Sequence, residues 1–173
     1  LRFFAYYPWT DQNRSDKAIT VTQAAAAEKV SIGYKMSGDP SKHIDLMHWM
    51  GPRNTTENTV NVELGHSLAR LKFQARMQLY SPGTRIEVTN IEIGQAVSEG
   101  TLNISPSGDR INAVWNLNST SKTSLAMTQA NVMSSGRYLT GEYGSVLESD
   151  ESDMLVIPQN VVGMDLKVTA VLD

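Results

Sequence analysis

The stretch from Thr59 to Tyr80, TVNVELGHSLARLKFQARMQLY, limits what this chain can fold into more than any other. Leu71, Phe73, Ala75, Met77 and Leu79 alternate without a fault with Lys72, Gln74, Arg76 and Gln78. Successive side chains of a strand point to opposite faces, so the run reads as a strand with one buried and one wet face. At helical spacing the same apolar residues would scatter around the cylinder and leave no core face. Val60, Val62 and Leu64 alternate in the same way with Asn61 and Glu63. Gly65-His66-Ser67 separates the two runs, and glycine tolerates the backbone conformations that a corner needs. The expectation is two long strands meeting at a corner, the spine of a β domain.

Shorter runs extend the pattern. Arg2 to Tyr7 reads as an aromatic strand stopped by Pro8, and Ala18 to Thr22 as a short one. Val30, Ile32 and Tyr34 alternate, and Ile44 to Trp49 is a mixed apolar run. Ile86 and Val88 alternate, then the phase slips by one before Ile91 and Ile93, which is how a β-bulge looks in sequence. Leu102 and Ile104 pair with Ile111 to Trp115 around a Ser105–Asp109 turn. Residues 116–124 read as a polar loop, Ser124 to Thr128 as a weak strand, and Met154 to Ile157 and Met164 to Leu172 as strands. Ala24 to Ala27 favours helix by propensity but makes barely one turn, so a helix there stays open. About nine or ten short strands at roughly ten-residue spacing indicate an antiparallel sandwich or barrel. Unequal strand lengths and long connections favour the sandwich. No composition shift marks a boundary, so residues 1–173 read as one β-sandwich domain, with a second domain expected to follow in a longer protein.

Charge and composition exclude several functions. A net charge of −3 without any block of Lys and Arg argues against nucleic acid as a partner. The absence of cysteine excludes disulfides, thiolate metal sites and a cysteine nucleophile. No run approaches the ~20 apolar residues of a membrane-spanning helix. The chain opens directly in LRFFAYYPW, an apolar strand-like run without a visible signal peptide, the expectation for a trimmed form or a mature fragment.

No constellation for catalysis, cofactor or metal is expected. His43 and His48 stand on opposite faces of a strand and well apart on a helix, so neither geometry gathers them on one ion. His66 sits alone at the corner. Asp150, Glu151 and Asp153 lack the glycine and terminal glutamate of a helix-loop-helix calcium loop and read as a solvated loop. There is no phosphate-cradling glycine loop and no G-x-S-x-G turn. The methionines read as core filler. The N-terminal aromatics offer two readings. A strand sends Phe3, Tyr7 and Trp9 one way and Phe4 and Tyr6 the other, as a core strand would. Alternatively Tyr6, Tyr7 and Trp9 contact a glycan or a host protein. The terminal strands, Arg2 to Tyr7 and Met164 to Leu172, either pair within their own sheets or exchange with another chain, since open edges accept strands.

Four segments, AYYPW, IDLMHW, VNVELGHSLARLKFQARM and LVIPQ, stand in this order between positions 5 and 159. Together they resemble the fimbrillins of Bacteroidales, the type V pilin subunits and related surface lipoproteins. His66 to Leu71, His-x-Leu-Ala-Arg-Leu, is the most telling piece, and Ile157-Pro158-Gln159 supports it. The resemblance implies a transthyretin-like β-sandwich of the N-terminal fimbrillin type. It implies export as a lipoprotein, display at the outer membrane, and polymerisation by donated strands after proteolytic trimming. It thus implies a structural or adhesive fimbrial subunit rather than an enzyme, with other subunits as partners and no cofactor. On that reading Leu64, Leu71, Phe73, Ala75 and Met77, the longest apolar stripe, line the groove that receives a neighbour's strand. The alternative is a tip or surface binding module that works through Tyr6, Tyr7 and Trp9.

Overall fold

The computed structural model describes residues 2–10, 17–24, 28–51, 59–81, 83–108, 110–128, 138–146 and 154–172. Strand-forming alternation dominates these residues, and they form antiparallel sheets throughout. In chain order the strands are β1 (Phe4–Tyr7), β2 (Ile19–Ala24), β3 (Lys29–Lys35), β4 (Met47–Met50), β5 (Gly65–His66), β6 (Ala69–Leu71) and β7 (Gln74–Ala75). They continue with β8 (Ile86–Val97), β9 (Glu99–Ser107), β10 (Arg110–Leu117), β11 (Lys122–Thr128), β12 (Gly144–Ser145), β13 (Met154–Val156) and β14 (Asp165–Leu172). The one helical turn among the described residues is a 3-10 turn at Pro40–Lys42, capped by the Asp39 carboxylate, which accepts from the Ser41 N–H at 3.0 Å. Among the described residues no helix is long and apolar enough to cross a membrane.

Two sheets build the sandwich. One runs β10-β9-β3-β2 and the other β11-β8-β14. Ile19, Ile32, Leu102 and Ile104 from the first meet Val88, Ile91, Ile93 and Leu125 from the second in one buried cluster, joined by Leu46, Met154 and Ile157. A third sheet, β1-β4-β5, flanks them, and two small ladders, β12-β7 and β13-β6, complete the set.

The slip in phase expected after Val88 is a bulge. β14 pairs Thr169 with Asn90 and then Ala170 with Val88, which leaves Thr89 without a rung. A second irregularity follows where β11 pairs Leu125 with Ile93 and Thr123 with Ala96, and Gln95 there takes φ 62°. Each extra residue rotates the strand by one face. Val88, Ile91, Ile93 and Ala96 therefore all reach the core despite their uneven spacing. The predicted hairpin is present with a tighter turn. Ser107 pairs with Arg110, and Gly108 turns the chain at φ +62°.

Two expectations are corrected. The spine is not a pair of long strands: residues 59–64 form no strand, and the rest divides into β5, β6 and β7. The alternation itself holds. Leu71, Phe73 and Ala75 are half-buried and Met77 is buried, while Lys72, Gln74, Arg76 and Gln78 are exposed. Leu79 breaks the row at 91% exposure. Alternation reports which face meets the core. A long ladder also needs a long partner, and here the partners β13 and β12 have three and two residues. The polar loop predicted over residues 116–124 shrinks to a turn at Asn118–Ser121, closed by Ser121 N–H donating to Asn118 O at 3.0 Å. β10 runs up to it and β11 leaves it. Of the alanine run, Ala24 ends β2 and the rest lies outside the described residues, as do Asp150, Glu151 and Asp153.

Candidate functional site

The four segments that carry the family resemblance meet in space. AYYPW forms β1 and pairs with IDLMHW in β4, with Phe4 opposite Met50 and Tyr7 opposite Met47. β4 then pairs with the corner, Met47 opposite His66. The Ala69–Leu71 strand pairs with Met154–Val156. Gln159 pins the end of the long strand: its carboxamide accepts from Val97 N–H at 2.7 Å and donates to Val97 O at 3.1 Å. One side chain thereby satisfies both backbone groups of a buried residue, as a paired strand would. Sequence alone marks Gln159 as part of a motif. Its partner appears only in the fold.

The predicted groove residues divide. Leu71, Phe73 and Ala75 are packed against the core cluster from its margin, and Met77 is buried at 8% exposure. Leu64 lies in the irregular segment before β5, half-buried and outside that cluster. The row is therefore four residues long. It is flanked by two-stranded ladders rather than by a full sheet.

A second margin is more open. Among the described strands β14 is an edge paired only with β8, and all eight of its residues are exposed. Leu166, Val168, Ala170 and Leu172 share the face of the β8 residues opposite them, Ile93, Ile91, Val88 and Ile86. Ile91 is 2% exposed, whereas Val168 beside it is 54% exposed. The apolar face of this sheet extends one strand beyond its cover. Val161 and Val162, just before β14, are also exposed, at 72% and 85%.

The predicted ligand-contacting aromatics lie on two faces. Tyr6 stacks on Phe4 at 6.0 Å and packs against the core. Tyr7 and Trp9 point outward, 55% and 75% exposed, with Phe3 at 40%. Sequence reading missed Trp49, which sits beside Ala5 on the outward face. The mixed run IDLMHW carries no clear period, so only its pairing with β1 assigns the face.

Each histidine has its own partner. His43 Nε2 lies 2.9 Å from Ser37 O, His48 Nδ1 2.8 Å from Ser67 Oγ, and His66 Nδ1 2.8 Å from Asp45 Oδ2. Among the described residues no three His, Asp or Glu side chains gather in a way that could hold a metal. Burial holds His48 below its ordinary pKa. Burial likewise pushes the Tyr34 phenol up to about 12, while its hydroxyl donates to Ile44 O at 2.8 Å. Ser67 is only 8% exposed, and its carbonyl accepts from Trp115 Nε1 at 3.0 Å. The Ser67–His48 pair is thus a tie between the corner and β4.

No curated protein and no solved structure gives a significant match to this chain. The model of a family described as fimbrillin-like matches residues 1–173. The family is one of structural fimbrial subunits rather than enzymes, with other subunits as partners at the cell surface. With paired motifs, an antiparallel sandwich and a match over its whole length, this chain belongs to the fimbrillin-like family.

Proposed function

We propose that this protein is a structural subunit of a bacterial outer-membrane fimbria and that it joins its neighbours by strand complementation. Residues 1–173 act in this reading as one sandwich domain of the subunit, delivered to the surface as a lipoprotein. The observation that carries the reading is β14: an eight-residue edge strand, exposed throughout, whose apolar face continues that of β8. A neighbour's extended segment would hydrogen-bond along the outer edge of β14 and cover Leu166, Val168 and Leu172. Covering each of these side chains fully contributes roughly 1.5–3 kcal/mol before the cost of ordering the segment. The half-covered row Leu71, Phe73 and Ala75, which ends at the buried Met77, is the second junction, with Leu64 at its start. Both margins leave apolar core surface facing outward, which an isolated soluble domain would avoid.

The test is to express the precursor with Leu166→Lys and Val168→Lys and examine fimbriae sheared from the cells by electron microscopy. The expected result is a folded subunit that forms no fibres. Phe73→Asp tests the second junction in the same way. Fibres of normal length from the double lysine variant would overturn the assignment of β14.

A further inference from the structure

The outward face of the β1-β4-β5 sheet carries a feature that assembly through the two margins does not use. Register places Tyr7, Met47 and His66 in one row across the three strands, and Ala5 beside Trp49 in the next. Beyond them the Gly51 N–H donates to Phe3 O at 2.9 Å, which sets Phe3 opposite Gly51. Gly51 has no side chain, and the space that a Cβ would fill is occupied by the six-membered ring of Trp49. The indole therefore lies along the sheet instead of standing away from it. Arg2 holds this end in place, donating to Gly51 O at 2.8 Å and to Glu28 at 3.2 Å. Ala5, between Phe3 and Tyr7, is too small to lift anything off the surface.

The result is an aromatic floor with a polar border. Phe3 and Tyr7, on the same strand face as Trp49, are exposed at 40% and 55%, and Trp9, just past the end of β1, at 75%. At the border His66 Nδ1 meets Asp45 Oδ2 at 2.8 Å, with side chains 65% and 36% exposed. No Lys or Arg belongs to the rows of this face. A polyanion is therefore a poor fit, because it needs cationic partners.

We propose that this face binds a neutral saccharide. A pyranose ring has a flat side of C–H groups and a belt of hydroxyls. The C–H side matches the negative faces of laid-down aromatic rings. The hydroxyl belt matches a border that offers both an imidazole and a carboxylate. Repetition of the face along a fibre would turn weak single-site binding into firm attachment. The inference refines the sequence-based expectation for the N-terminal aromatics. It keeps Tyr7 and Trp9, adds Phe3 and Trp49, and removes Tyr6, which faces the core. It does not depend on strand complementation.

The test is affinity electrophoresis of the purified chain through gels containing xylan, β-glucan, galactan or mucin. The expected result is retardation by at least one of them, reduced by about tenfold in affinity with Tyr7→Ala or Trp49→Ala. Gly51→Ala, which displaces the indole, should weaken binding while circular dichroism stays unchanged. Leu79→Ala, at an exposed position away from this face, should leave retardation as it is. Absence of retardation in every gel would overturn the proposal, as would retardation that survives Tyr7→Ala and Trp49→Ala together. Retardation by mucin that persists after enzymatic deglycosylation would also overturn it and point to a protein ligand.

Discussion

β8 and β14 lie side by side with apolar residues opposite apolar residues, yet they end in opposite environments. Ile91 and Val88 are 2% and 4% exposed, and Val168 and Leu172 are 54% and 69% exposed. Their sequences are alike in hydrophobicity, and the bulges of β8 bring its apolar residues to the face that β14 presents by plain alternation. What differs is the layer above: the β10-β9-β3-β2 sheet contributes the side chains that close over β8. A strand's pattern states which face can be buried. Whether it is buried depends on what another part of the chain, or another chain, places on it.

Substitutions in the two strands should differ sharply in cost. Ile91→Ala should cost about 3 kcal/mol, from lost transfer free energy and the cavity left behind. Val168→Ala in the isolated chain should cost under about 1 kcal/mol. Urea unfolding of both variants measures the difference. Equal losses would mean that β14 is covered in the free subunit. Fibres should reverse this contrast. There Val168→Ala should weaken the polymer, read as a lower dissociation temperature, because the strand is then covered.

Gln159→Ala should come next in size, at about 2 kcal/mol, because it leaves the Val97 N–H and C=O without partners. Gln159→Glu sharpens this result. A carboxylate still accepts from the N–H but cannot donate to the carbonyl, so it should recover only part of the loss. The same denaturant titration reads both variants.

The smallest effect concerns pH. Burial lowers the pKa of His48 below its ordinary 6.5, so the folded chain favours the neutral ring. The unfolded chain binds the extra proton first. The contribution is therefore fully present above about pH 6.5 and is lost as the pH falls below it. His48→Gln should flatten that part of the stability profile, measured as the unfolding midpoint between pH 7.5 and pH 5. An unchanged slope would show that the ring takes up its proton equally in both states.

The all-β class was legible because alternation is local: each pair of neighbours carries it. The bulge after Val88 was legible for the same reason, as a slip of one position between Val88 and Ile91. The length of the strands between Thr59 and Tyr80 was not, since ladder length is set by partners distant in sequence, among the described residues Met47–His48, Met154–Val156 and Gly144–Ser145. The aromatic face was half legible. The period of two separated Tyr7 from Tyr6, but Trp49 joined only once β4 had paired with β1.

The class, the two faces of the regularly alternating strands and the family motifs could all be read from the chain before it folds. Those properties follow from side-chain chemistry and a two-residue period. Only the tertiary structure decided that β14 remains uncovered, that the motifs meet in pairs, and that the Trp49 indole lies over Gly51. Each of these depends on segments far apart in the chain coming together, and no local pattern encodes which surface will be left without a partner.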